Sequence, residues 1–304
     1  MPQSHRFPVR QDFFKCPPLS PVEIFQYKQM ATKCVLKVIA KANMANPAYE
    51  WTLASDEIDF KLYKGRSTAS SALHCGQIEV VGTVDEVVEL FRTDTTEQAR
   101  FYCQRTQRNL VDAVNLYTIL APTAETPHDK IQIKWIVGKS TLSGLFKQRD
   151  FCCLEATQEL QIEGRRMWVR AYKSIELDCC PDFKSTLGLV RGSINGSGHV
   201  FIESKERSGY LSMSYVNDFT VNGSAPDWAA EHASQSRCRN VLDIDRFLRE
   251  NRLNQTPFLP PTEWDPPSKW HSCHVCEKKF GMLLKKTNCT KCGHVSFNLF
   301  IGAV

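Results

Sequence analysis

The sequence predicts an α+β protein. It has a curved antiparallel sheet between long N- and C-terminal helices, and then a small cysteine-rich tail. Three observations carry this: an amphipathic helix after Ser20, a run of alternating strand-like segments, and two Cys-x2-Cys pairs near the end. A chain of 304 residues has room for two domains. With 42% hydrophobic and 23% charged residues, it is not a wholly disordered polymer.

Residues 1–19 read as a flexible lead-in. Ser20 is an N-cap and Pro21 suits the first helical position. Ile24, Tyr27, Ala31, Cys34, Val35, Val38, Ile39 and Ala42 follow at helical spacing, which predicts a helix of about 25 residues ending before Pro47. Residues 51–55 and 58–63 alternate as half-buried strands do. A strand at 78–82 leads into a short helix at 84–91, and a polar helix covers 96–109. Further strands are expected at 116–120, 131–137, 150–159, 166–175, 198–203 and 210–221, with turn chemistry at Glu163-Gly164 and around Gly196. A last helix starts at Pro226 and runs through Leu248, with a break expected at 235–237. Five prolines between 254 and 267 make a stiff spacer, assigned to 252–267. A curved sheet cannot leave its apolar concave face in water, and a helix laid across it solves that problem.

The charge is uneven. Lys269, Lys278, Lys279, Lys285, Lys286 and Lys291 face only Asp265 and Glu277 in residues 264–304, so the tail is basic while the body is nearly neutral. Such a tail suits an anionic membrane, nucleic acid or plain solvent. No apolar run is long enough to span a bilayer, and residues 1–15 lack the apolar stretch of a secretory signal. A reducing, cytoplasmic setting with free or metal-bound thiols is therefore expected for the thirteen cysteines. Cys152-Cys153 and Cys179-Cys180, without a nearby histidine, read as buried structural thiols. G-x-S-x-G, H-E-x-x-H, P-loop and G-x-G-x-x-G patterns are all missing, and the expectation is a non-enzyme.

Gln148-Arg-Asp-Phe-Cys-Cys153, Val169-Arg-Ala-Tyr-Lys-Ser-Ile175, Asp178-Cys-Cys-Pro181, Leu189-Val-Arg-Gly192, Gly198-His-Val-Phe-Ile-Glu203 and Met213-Ser-Tyr-Val-Asn-Asp218 stand in the order of the START lipid-transfer domain. Pro226-Asp-Trp228 then feeds a terminal helix. Residues 20–251 resemble that family. The resemblance implies a helix-grip fold: the sheet grips the C-terminal helix around a tunnel for one lipid or sterol-like ligand. Which residues line such a cavity is not readable from the sequence. Trp135 and Trp168 are expected as core packing. Arg191 resembles the family's arginine and is expected in a salt bridge that holds its loop.

Cys273, Cys276, Cys289 and Cys292 follow C-x2-C-x12-C-x2-C, a spacing that lets each pair reach one tetrahedral zinc. Trp264, Phe280, Lys285-Lys-Thr-Asn-Cys289 and Cys292-Gly-His-Val295 make residues 268–304 similar to a FYVE finger, a zinc module that reads phosphatidylinositol 3-phosphate on endosomes. The pattern is incomplete. Pro267 stands where the family has an acid, Thr287 and Asn288 where it has histidines, and Phe297 and Phe300 where a third cysteine pair belongs. Two outcomes are open: one zinc shared by the four cysteines, or a metal-free remnant. By the same resemblance Lys285 and Lys286 contact a phosphoinositide or anionic membrane, and Leu283 and Leu284 wedge into it. The functional expectation is lipid binding, for transfer or sensing, with peripheral endosomal attachment. The alternative is an interaction scaffold with a filled cavity and a protein partner, and a nucleic-acid binder ranks last.

Overall fold

A computed structural model of the chain describes residues 7–66, 73–106, 110–139, 146–220, 222–223, 226–281 and 285–297. The chain divides into two compact units, Met1–Asp245 and Arg246–Val304.

The first unit opens with α1 (Pro21–Ala42), started by a complete capping box. Ser20 Oγ accepts the Glu23 N–H, and the Glu23 carboxylate accepts the Ser20 N–H at 2.8 Å. A single antiparallel sheet follows. Its strands are β1 (Glu50–Glu57), β2 (Phe60–Arg66), β3 (Leu73–Val81), β4 (Leu110–Leu120), β5 (Lys130–Gly138), β6 (Arg149–Ile162), β7 (Arg165–Ser174), β9 (Ser193–Glu203) and β10 (Tyr210–Thr220). The short β8 (Val190–Arg191) pairs with β6 in parallel. Among the described residues the order is β1-β2-β3-β10-β9-β7-β6-β5-β4. Register slips between Leu53 and Ser55, Tyr172 and Lys173, Val216 and Phe219, and three times along β4 bend the sheet.

Two helices, α2 (Val84–Leu90) and α3 (Thr96–Thr106), are inserted between β3 and β4, and α4 (Asp227–Arg239) follows β10. Helix α1 lies on the convex face, packed on β6, β7 and β9. Its Ala31, Cys34, Val35 and Val38 join Ile133, Trp135, Val137, Cys152, Leu154, Ala156, Met167, Val169, Ala171 and Val200 in one apolar core. Helix α4 packs on β2, β3 and β10, close enough at Gly76 that a Cβ there would meet the Cys238 carbonyl oxygen at 3.0 Å.

Three sequence expectations are corrected. The strand expected over 58–63 starts at Phe60, because Ile58 sits in the β1–β2 turn with its whole side chain in solvent; the apolar alternation runs through the turn. The helix break falls at Asn240-Val241, between α4 and α5 (Leu242–Asn254), rather than at 235–237. The lead-in is not loose over residues 7–19. Val9 N–H donates to Asp112 Oδ2 at 2.7 Å, Arg100 donates to Val9 O, and Phe13 and Phe14 pack on Trp135 and Phe183. The expected ends at 109 and 221 lie outside the described residues.

In the second unit, β11 (Lys286–Asn288) and β12 (Val295–Phe297) form a short hairpin. The proline-rich spacer is part of this unit's fold. Leu259 N–H donates to Thr290 O, Asp265 N–H to Gly293 O, and Lys291 Nζ to the carbonyls of Leu253 and Thr256.

Candidate ligand cavity

Strand alternation sends successive side chains of β5, β6 and β7 to opposite faces. Trp135, Leu154 and Val169 enter the convex core, while Lys134, Glu155 and Arg170 point to the concave side. The three concave residues form a buried ionic triad. Lys134 Nζ lies 2.6 Å from Glu155 Oε2, and Arg170 Nε donates to Glu155 Oε1 at 2.8 Å. Lys134 also donates to Thr93 Oγ1 at 2.6 Å and Thr93 O at 3.1 Å, just beyond α2.

Burial alone would raise the Glu155 carboxyl, but the Arg170 and Lys134 charges outweigh it and hold the group far below the usual carboxylate range. Burial lowers Lys134 to about 8 against the attraction of Glu155. Arg170 stays charged because the pull of Glu155 exceeds its burial. The triad is thus a fixed internal salt.

Aromatic rings surround it. The Arg170 guanidinium lies 5.0 Å from the Phe91 ring centre, 5.1 Å from Tyr172 and 5.4 Å from Tyr102. His199, paired across strands with Arg170 and Tyr215, stacks on Tyr215 at 4.5 Å. Arg237 reaches down from α4, 4.5 Å from the Phe219 ring centre. Tyr102, Tyr172, His199, Tyr215 and Arg237 all lie deep inside the unit. Each nevertheless keeps part of its surface accessible. These partly accessible side chains on the concave side are the candidate lining of a ligand cavity. Burial, with the nearby Arg170 charge, lowers His199 to about 3 and keeps it neutral. Its Nδ1 has no hydrogen-bond partner among the described residues.

The closing helix is held by polar pins. Ser234 Oγ of α4 accepts from Asn217 Nδ2 at 2.7 Å and lies 2.9 Å from His74 Nδ1. Glu231 pairs with Lys64 at 2.7 Å, and Arg239 with Glu57 at 2.6 Å.

This architecture matches solved structures. Human StAR-related lipid transfer protein 5 aligns with a TM-score of 0.58 and 14% identity, over 75% of this chain and 99% of that one. The lipid transfer and protein localization domain of human StarD13 aligns with a TM-score of 0.47 and 15% identity, over 76% of this chain and 98% of that one. No protein-family model and no curated protein matches the sequence. The body has a START-like fold.

Within this START-like body, Arg191 does what the sequence suggested. Its guanidinium pairs with Asp150 at 2.8 Å and donates to Pro181 O at 2.7 Å, which holds the β7–β8 loop. Trp135 packs in the convex core. Trp168 packs on the concave side against Phe91 and Phe201. Cys152, Cys153 and Cys180 are buried, whereas Cys179 is half-buried. Sequence reasoning missed Lys134, Glu155, Arg170 and His199. Along these strands their charged and polar positions alternate with apolar ones as solvent-facing residues do, so the sequence carried no distinguishing signal.

The tail cysteines form two separate knuckles. Cys273 Sγ accepts backbone N–H bonds from Cys276, Phe297 and Val275, and these bring its thiol down to about 7 although burial works the other way. Cys289 Sγ accepts from Lys291 N at 3.4 Å. Phe297 thus stands beside the first pair, at the place of the absent third pair. Among the described residues no three His, Cys, Asp or Glu side chains converge as a metal site needs. Each knuckle by itself offers two of the four ligands zinc takes. Lys286 donates to Pro267 O and Trp270 O and lies over the Phe280 ring, while Lys285 is exposed. Leu283 and Leu284 lie outside the described residues. Among the described residues no helix is long and apolar enough to cross a membrane.

Proposed function

We propose that the body binds one lipid or sterol-like molecule in the concave hollow, for transfer or sensing, without catalysing a reaction on it. The observation that carries this is the set of deep but accessible side chains: Tyr102, Tyr172, His199, Tyr215 and Arg237. Apolar parts of the guest gain about 0.8 kcal/mol for each CH2 removed from water, enough over a long chain to draw it from a bilayer. The partly accessible His199 ring and the Arg237 guanidinium supply polar contacts for one end of the guest. The StAR-related neighbour is named for lipid transfer, and the shared fold supports the same class of ligand here. Extraction of fluorescently labelled phospholipid and sterol from vesicles by the full chain tests this. Uptake saturating near one molecule per chain is expected. The scaffold alternative, a cavity filled by side chains, predicts no uptake of any probe.

For the tail, the second proposal is zinc held by Cys273, Cys276, Cys289 and Cys292. It is carried by the knuckles, in which N–H groups already point at sulfur. One shared ion requires the two pairs to converge. Metal analysis giving about one zinc per chain supports this, and a folded tail without zinc ends it. Attachment to anionic or endosomal membrane would then fall chiefly to Lys285, since Lys286 is engaged by backbone carbonyls.

A further inference from the structure

The lead-in and the β7–β8 loop meet at a pair of sulfurs that the lipid-binding reading does not use. Cys16 Sγ and Cys179 Sγ are 2.7 Å apart although 163 residues separate them in sequence. Both side chains are half-buried, so solvent reaches them. The surroundings hold them in place. Tyr117 OH donates to Pro17 O at 2.6 Å and lies 3.8 Å from Cys179 Sγ, fixing the chain just after Cys16. On the other side, Arg191 ties Cys180 O and Pro181 O to Asp150, fixing the loop just after Cys179. The neighbouring thiols differ. Cys152 and Cys180 are buried in the convex core and have no path to a bulky oxidant.

We propose that Cys16 and Cys179 are an oxidisable pair that closes into an intramolecular disulfide and locks the lead-in to the β7–β8 loop. An S–S bond of about 2.05 Å needs only a small approach of the two sulfurs. The oxidant is a small-molecule disulfide such as glutathione disulfide. Cys16 holds its proton, since burial and Cys179 push its thiol up to about 12. With Cys179 as the first nucleophile, its proton goes to solvent and its sulfur attacks the oxidant; the oxidant's S–S bond breaks and one thiol leaves. Cys16 sulfur then loses its proton to solvent and attacks Cys179 in the mixed disulfide, and the second small thiol leaves. Two protein thiols are oxidised and one small disulfide is reduced to two thiols.

The lock lies on the convex side, among the lead-in, Tyr117 and the loop, away from the concave hollow. Its effect is on stability. Closing so long a loop constrains the unfolded chain strongly, and the thermal midpoint should rise by about 5 °C or more.

The test treats the full chain with glutathione disulfide and maps its peptides by mass spectrometry without reduction. The expected result is a cross-linked peptide pair containing residues 16 and 179, a loss of two hydrogens, and a raised thermal midpoint reversed by dithiothreitol. Cys16→Ser and Cys179→Ser should each abolish both changes, whereas Cys75→Ser should abolish neither. The proposal is overturned if the oxidised wild-type chain shows a 152–180 or 179–180 linkage instead. It is equally overturned if both thiols stay separately alkylatable after oxidation. Mapping of the wild type decides this even if a serine variant folds poorly.

Discussion

On the convex side of the sheet, Val38, Ile133, Trp135, Val169 and Ala171 have no measurable exposure. One residue along the same strands, on the concave side, stand Lys134, Glu155 and Arg170, with aromatic side chains around them that keep accessible surface. The convex face is a close-packed apolar seam against α1 and serves stability. The concave face carries a buried salt, an unpartnered histidine nitrogen and aromatic side chains left partly accessible, features that stability alone does not call for. The proposed ligand site lies on this second face, not on the close-packed one.

Adjacent residues on β6 make the sharpest test of that difference. Glu155→Gln leaves Lys134 and Arg170 without their counter-charge and should cost about 3–5 kcal/mol in urea unfolding. Leu154→Ala, on the opposite face, should cost about 2–5 kcal/mol through a cavity while the surviving folded protein takes up lipid as before. If Leu154→Ala abolished uptake at full folding, the division between the faces would fail.

The next effect is a pH dependence. Burial lowers His74, which lies between Ser234 and Glu231, to about 4. The folded chain therefore keeps it neutral, while the unfolded chain protonates it from about pH 6.5 downward. The unfolded state binds more protons in that window, so stability falls as pH drops from 6.5 to 4, by about 3 kcal/mol for this group. Unfolding curves across that range check it. His74→Asn should flatten the slope, and an unchanged slope would remove His74 from the pins that hold α4.

His199→Phe keeps a stacked ring but removes both ring nitrogens from the concave side. Guest affinity should weaken about tenfold, or about 1.4 kcal/mol, with little change in unfolding midpoint. The smallest effect is expected in the tail. Lys285→Ala should weaken binding to phosphatidylserine vesicles by about 1 kcal/mol, and adding phosphatidylinositol 3-phosphate should change little.

The two faces also differ in how far the sequence reveals them. The convex side was legible: Ser20-Pro21 and the spacing of Ala31, Cys34, Val35 and Val38 mark α1 and its buried stripe, and period-2 alternation marks β5 to β7. The concave side was not. Lys134, Glu155 and Arg170 look like ordinary solvent-facing alternation, because a strand pattern tells which residues share a face but not whether that face is covered. What covers it, α2 to α4, is set by packing between segments distant in sequence. Ile58 shows the same limit at short range, since alternation continues through a turn. In the tail, the C-x2-C spacing announced both knuckles, but spacing alone does not say whether they share one point in space.

Native mass spectrometry of the full chain purified from cells tests the central claim most directly. The expected spectrum shows the chain carrying the added mass of one apolar molecule, released on denaturation and diminished in His199→Phe. A chain that emerges empty, and stays empty after incubation with phospholipid and sterol vesicles, would contradict a guest-binding hollow on the concave face.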